Sequence, residues 1–263
     1  EKTVSQTGPK EIIQQIYSLV QKVLENSGTQ RITGLGIACP GPLDEETGIV
    51  LNAPTLKGFV NFPFRDQLSE IFPWPIKIRN DAHCATLAEW QICKNKTVRN
   101  MVYLTVSTGI GGGIISDGQL VSGKHGLAGH FGHMILEKNG PRCVCGNNGC
   151  WEAFVSGTAL NRQAKNVGFS SGQALFEAAR QKDNLACKNV AIFSEYLGKG
   201  LVNIMHILSP ELIVIGGGVA QEMETWLPQV KKTIDNSTVP FFPKAKICKA
   251  FLGVDSGLIG ATL

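Results

Sequence analysis

A chain of 263 residues is longer than a single hydrophobic core usually sustains, so two lobes are expected. Its 43% hydrophobic and 17% charged residues describe an ordinary globular protein, and a net charge of +4 without a clustered basic run points to no particular polyanion, so nucleic acid is not implied by charge. No apolar run reaches the length of a membrane span, and the opening EKTVSQTGPKE has neither the apolar core nor the cleavage site of a secretory signal, so a soluble, cytoplasmic protein is expected.

From Pro9 to Asn26, apolar residues recur at helical spacing with Gln, Lys and Glu between them, which predicts an amphipathic helix ending near Gly28. Arg31 to Cys39 reads as a buried strand running into the turn-rich PGPLDEETG, and Ile49 to Leu51 as a short strand with Asn52 at a loop mouth. NFPFRDQLSEIF can form a helix. IKIRN alternates as a strand and passes into the helical AHCATLAEWQ, which sets Asn80 and Asp81 at a strand-to-helix turn. MVYLTV is a buried strand leading into STGIGGGII, and LIVI leads in the same way into Gly216 to Gly218. Helical spacing covers Ala159 to Ala164, Gly172 to Arg180 and Val190 to Leu208, and AFLGVDSGLIGATL reads as a strand, a turn and the beginning of a helix. Strands alternating with helices predict an α/β fold. The polar KNKTVRN places a lobe boundary between an N-terminal lobe, 1–97 joined by 253–263, and a C-terminal lobe, 98–252.

Between Gly126 and Glu152 the chain sets His133, Cys143, Cys145 and Cys150 in close order, with glycines between the sulfurs. Three thiolates and an imidazole satisfy a tetrahedral Zn²⁺ with no open position, so the spacing predicts a structural zinc clip; the alternative is a buried or disulfide-paired cluster. The other cysteines are scattered singly, as in a reduced cytosolic protein.

Thr108 to Gly113 is a glycine run that either cradles an anion on its backbone N–H groups or makes a tight turn between strands, and Gly216 to Gly218 has the same two readings before a helix near Val219. Neither run fits a Walker loop or the dinucleotide fingerprint. Asp81, at the carboxyl end of a strand, is either a general base in the crevice of an α/β sheet or the N-cap of the following helix. Glu152 is a sugar-hydroxyl acceptor or a surface acid.

These residues together carry a resemblance. The run from Val106 to His133, VSTGIGGGIISDGQLVSGKHGLAGHFGH, the clip CVCGNNGCWE and the upstream NDAHCATLAE resemble the signature of the ROK family, which groups repressors, open reading frames and sugar kinases within the actin-like ATPase (ribonuclease H-like) fold. Within it, LNAPTLKGFVNFPF, TVSTGIGGG, GLAGHFGH and the terminal DSGLIGA are most similar to the bacterial N-acetylmannosamine kinases of sialic acid catabolism. The family's first strands, which hold an Asp-x-Gly-Gly-Thr phosphate loop, have no counterpart here, and His130 stands where most members carry Glu.

The resemblance implies a two-lobed kinase that moves the γ-phosphoryl of Mg²⁺-ATP to the C6 hydroxyl of a hexosamine, N-acetylmannosamine being indicated. Asp81 would take the C6 proton, and Gly41, Asn52, Asn80, His130, His133 and Glu152 would hold the sugar. Thr108 and Gly109 would meet the ATP phosphates, and Gly217 and Gly218 would back the adenosine. His133 would bind zinc through one ring nitrogen and face the sugar with the other. A homodimer is implied by family habit. The rival readings are a glucose or fructose kinase of the family, and a sugar-responsive repressor whose DNA-binding segment would precede this sequence; nucleic acid is otherwise not an expected partner.

Overall fold

The computed structural model describes residues 1–28, 31–94 and 97–263; residues 95–96, inside the polar stretch at which the sequence places the lobe boundary, lie outside the described residues, as do 29–30. The chain divides into two compact units. The first comprises Glu1–Ala88, Ser122–Ala128 and Asp255–Leu263, and the second Glu89–Val121 and Gly129–Val254.

The first unit opens with α1 (Pro9–Ser27), started by a proline whose missing N–H costs nothing in the first turn and stopped at Gly28 in the left-handed region. Ile12 is buried, and Ile13, Ile16 and Val20 pack half-buried on the unit's core, whereas Val23 on the same predicted face is exposed. Next come β1 (Leu35–Cys39), β2 (Leu43–Asp44), β3 (Ile49–Asn52), β4 (Val60–Phe62), α2 (Phe64–Ser69) and β5 (Ile76–Asn80), followed by α3 (Asp81–Lys94). β1 and β5 pair in parallel with Cys39 opposite Asn80, and β2, β3 and β4 form an antiparallel meander. The first strand is shorter than the predicted Arg31 to Cys39, and the expected NFPF helix starts only at Phe64 because Val60 to Phe62 pairs with β3 instead. Phe59 and Phe64 meet edge-on, with ring centroids 5.2 Å apart, in a core that also holds Val50, Leu68 and Ile78.

The second unit holds β6 (Met101–Val106), β7 (Ile110–Ser116), β8 (Gln119–Leu120), α4 (Trp151–Val155), α5 (Gly157–Asn166), α6 (Gly172–Arg180), α7 (Asn184–Leu208), β9 (Leu212–Gly216), α8 (Met223–Ser237) and β10 (Lys246–Lys249). They build one sheet ordered β10-β9-β6-β7-β8, parallel across β10, β9 and β6 and antiparallel across β7 and β8. β9 is buried along its whole length, and its run of branched aliphatics is what a central parallel strand requires. Side chains cap three of the helices: Ser156, Ser171 and Asp183 accept the N–H groups of Ala159, Ala174 and Ala186 at 3.1, 3.1 and 2.8 Å. Glu89, fully buried, accepts the N–H groups of Phe251 and Leu252, each at 2.9 Å, and so fixes the chain beyond β10. The last strand is Lys246–Lys249 rather than the AFLGVDS stretch read from sequence, and α9 (Ser256–Ala261) returns to the first unit. There a methyl group on Gly36 would fall 1.8 Å from the Ala261 carbonyl oxygen, so β1 and α9 are in direct backbone contact.

Candidate active site

In the first unit the predicted sugar-side residues gather at the carboxyl ends of β1 and β5, the position at which open α/β sheets take ligands. Gly41 follows β1, and a Cβ on it would lie 3.0 Å from Asn80 Nδ2 at the end of β5. The Asn52 N–H donates to the Pro42 carbonyl at 3.1 Å, which brings the end of β3 to the same place. Asp81 is the first residue of α3, and the two readings of it divide between neighbours. Asn80 Oδ1 accepts the N–H groups of Ala82 and His83 at 3.0 and 3.3 Å, so Asn80 does the capping. Asp81 Oδ1 accepts the N–H of Ala82, its own neighbour, at 2.8 Å.

The same place is closed from behind by residues that the sequence reading passed over. Glu45, just after β2, accepts the Asn80 N–H at 2.9 Å and lies 2.8 Å from His83 Nδ1. Burial alone would raise the Glu45 carboxyl, but the contacts from His83 and the Asn80 N–H, with the charge of Arg79, hold it below the usual carboxylate range. Burial pushes the thiols of Cys39 and Cys84 up to about 12, with the Asp81 charge adding to the effect in both, so they stay protonated and inert beside Asp81.

In the second unit, Thr108 and Gly109 form the turn between β6 and β7, and the glycine run is divided between two uses. Gly111 to Gly113 are strand residues of β7 and not part of a cradle. Gly112 faces Phe131 so closely that a Cβ would lie 2.8 Å from its ring and 2.4 Å from the Tyr103 carbonyl oxygen. The turn is held by Glu152 at the start of α4, whose Oε2 accepts the Ile110 N–H at 2.7 Å, and by the Thr158 hydroxyl donating to the Thr108 carbonyl at 2.8 Å. Glu152 is therefore neither a loose surface acid nor uncommitted. Gly217, with φ 85°, stands against Val106 at the end of β6, so Gly217 and Gly218 come to the same edge of the sheet as Thr108 and Gly109. The segment that begins at Gly218 is a 3-10 turn to Glu222, where the sequence reading has a helix opening near Val219; α8 begins only at Met223.

His133, Cys143, Cys145 and Cys150 offer ligand atoms that all lie within 4.8 Å of one another. Cys145 Sγ and Cys150 Sγ are 3.6 Å apart, and Cys143 Sγ is 3.8 Å from His133 Nδ1. Two thiolates at the usual 2.3 Å from a tetrahedral zinc are separated by about 3.8 Å, so the donor set fits Zn²⁺. None of the cysteines is in a disulfide, which removes the paired-cluster alternative. Burial and the neighbouring thiols push Cys150 up to about 12; an uncompensated thiolate there is costly, and a divalent cation reverses that. Gly149, with φ 75°, passes so near the Glu137 carbonyl that no side chain fits, which gives the knuckle its tight form. Its exit is anchored by Trp151, wholly buried, whose indole N–H donates to the Tyr196 carbonyl at 2.9 Å. His130 and His133 are both exposed, with rings 6.4 Å apart and nearly parallel, and Gly132 between them abuts Ile110 and Glu152. His130, His133, Glu152 and the Thr108 turn thus share one end of the second unit.

The ROK family model matches residues 1–263. A glucokinase of Thermotoga maritima is 30% identical over 276 residues, covering 98% of this chain and 86% of the relative. An N-acetylmannosamine kinase of Vibrio vulnificus is 33% identical over 261 residues, covering 96% and 87%. A ROK family glucokinase from Streptomyces griseus, solved in complex with glucose and AMPPNP, superposes with a TM-score of 0.81 at 28% identity over 98% of this chain and 88% of that one. The chain belongs to the ROK family and is an ATP-dependent sugar kinase of the actin-like fold. Among the described residues no helix is long and apolar enough to cross a membrane.

Proposed function

We propose that the protein transfers the γ-phosphoryl of Mg²⁺-ATP to the C6 hydroxyl of N-acetylmannosamine, in sialic acid catabolism. The observation that carries the reading is the placement of Asp81, a carboxylate at the carboxyl end of a parallel strand whose capping duty has passed to Asn80. Asp81 accepts the C6 proton as the oxygen attacks phosphorus, and the protein's remaining task is to hold the reactants in line and to meet charge on the phosphates. The backbone of Thr108 and Gly109, braced by Glu152, meets those phosphates, and Gly217 and Gly218 back the adenosine. Gly41, Asn52 and Asn80 hold sugar hydroxyls, as does the second oxygen of Glu152. His133, Cys143, Cys145 and Cys150 would hold a zinc ion as a structural link, and His133, fixed by it, would face the sugar with its other ring nitrogen. A homodimer of such chains and a cytoplasmic location belong to the same proposal.

His130 decides between this sugar and glucose, the rival substrate. An imidazole donates as well as accepts, so it can meet the carbonyl of an acetamido group, which a carboxylate cannot do. Once the bound sugar covers the imidazole, an analogue without that carbonyl leaves it unpaired and is disfavoured. In an ADP-release assay, kcat/KM for N-acetylmannosamine should exceed that for glucose, and His130→Glu should narrow or reverse the ratio. Equal use of the two sugars, or a ratio untouched by His130→Glu, would move the protein to the glucose kinases of the family.

A further inference from the structure

Behind Asp81 lies a closed set of polar contacts that the transfer as described leaves unused. His83, two residues on along α3, is 1% exposed, and both its ring nitrogens are engaged. Nδ1 faces Glu45 Oε1 at 2.8 Å, and Nε2 faces the Ala128 carbonyl oxygen at 3.0 Å. The same Glu45 oxygen accepts the Asn80 N–H at 2.9 Å, and the Glu45 N–H donates to the His125 carbonyl at 3.1 Å. Gly126 leaves room for this, since a Cβ there would lie 2.4 Å from Glu45 Cγ. Glu45 and His83 thus tie together the end of β5, the first turn of α3 and the Ser122–Ala128 segment.

We infer that Glu45 and His83 are positioning residues, a proton-dependent clamp that fixes Asn80 and Asp81 for proton abstraction; this rests on Asp81 being the base. The proton count follows from the contacts. A carbonyl oxygen only accepts, so Nε2 must carry a proton. Glu45 Oε1 already accepts one N–H, so the contact with Nδ1 needs a second proton, on the ring or on the carboxyl. With Glu45 ionised, the ring holds both protons and the clamp is a buried imidazolium–carboxylate pair. The charged groups around it are Arg79, whose Nε is 3.5 Å from Glu45 Oε2, Lys77 beside Glu45 on one surface hollow, Asp81, and the pair of Asp44 with His125 at 3.1 Å. Removing one proton from the pair leaves three acceptor contacts with too few donors, and the Ala128 or the Glu45 link to the ring is lost.

Two readouts test the clamp. The first needs no substrate: in ¹⁵N-imidazole NMR at neutral pH, the histidine whose signals vanish in His83→Gln should carry a proton on both ring nitrogens, and Glu45→Gln should leave it with one. The second is kinetic. Glu45→Gln should lower kcat roughly 10- to 100-fold, as small misplacement of a reacting group does, with KM for ATP little changed, and should move the alkaline fall of kcat to lower pH. Glu45→Asp, which keeps the charge, should recover part of the rate, and stands in should Glu45→Gln fold poorly. A singly protonated His83 in the wild type, or superposable pH profiles for wild type and Glu45→Gln, overturns the inference. Full activity in Asp81→Asn would instead remove the base reading, while the NMR result still reports the pair's protonation.

Discussion

At the scale of single residues, the clustering of His133, Cys143, Cys145 and Cys150 was the most legible feature, because such spacing is local and three of the four residues fall within one short loop. Cys145 is the exposed one of its three cysteines, so replacing it disturbs ligation with little loss of packing. Cys145→Ser should lower zinc from about one per chain to well below that and reduce Tm, because metal binding energy at such a site is folding energy. Elemental analysis with a thermal melt checks this, and unchanged zinc and Tm would rule the clip out. Glu45 and His83 were illegible for the opposite reason: they are separated by 38 positions, and nothing in DEETG or DAHC marks them as partners. Asn80 shows a subtler limit. The sequence places both Asn80 and Asp81 at the strand-to-helix turn and weighs Asp81 as its cap, but Asn80, one residue earlier, reaches both the Ala82 and His83 N–H groups.

At the scale of elements, strands such as MVYLTV and IKIRN and the long helices declared themselves through periodicity, and their ends moved by a few residues where pairing decided. The glycine run was ambiguous because a glycine says only that a side chain is not tolerated. In Thr108–Gly109 the reason is a turn gripped by Glu152; in Gly112 it is the pressure of Phe131 and the Tyr103 carbonyl on the strand. Gly112→Ala should therefore destabilise the fold by about 1–3 kcal/mol, the usual cost of overpacking a dense core. Denaturant unfolding measures it, and a variant as stable as wild type would show that β7 and the Phe131 segment can part without penalty.

At the scale of the whole molecule, the α/β class followed from alternation of strands and helices, and the sugar-kinase assignment from motifs spread over most of the sequence; the match to the ROK family extends over all of it. Topology was less visible. The return of Ser122–Ala128 and of α9 to the first unit depends on contacts between distant segments, such as His83 with Ala128 and Gly260 with Cys84, that leave no periodic trace. The central claim is that this fold performs phosphoryl transfer to a sugar with Asp81 as the base. An amide at that position keeps the shape and cannot take the proton, and general-base catalysis contributes about 10²- to 10⁴-fold in rate. The most direct measurement is coupled ADP release with N-acetylmannosamine and Mg²⁺-ATP by wild type and Asp81→Asn, with sugar binding followed by calorimetry. The account predicts sugar-dependent turnover that falls by at least about 10²-fold in Asp81→Asn while the sugar Kd stays within a few-fold; near-normal turnover in Asp81→Asn would contradict it.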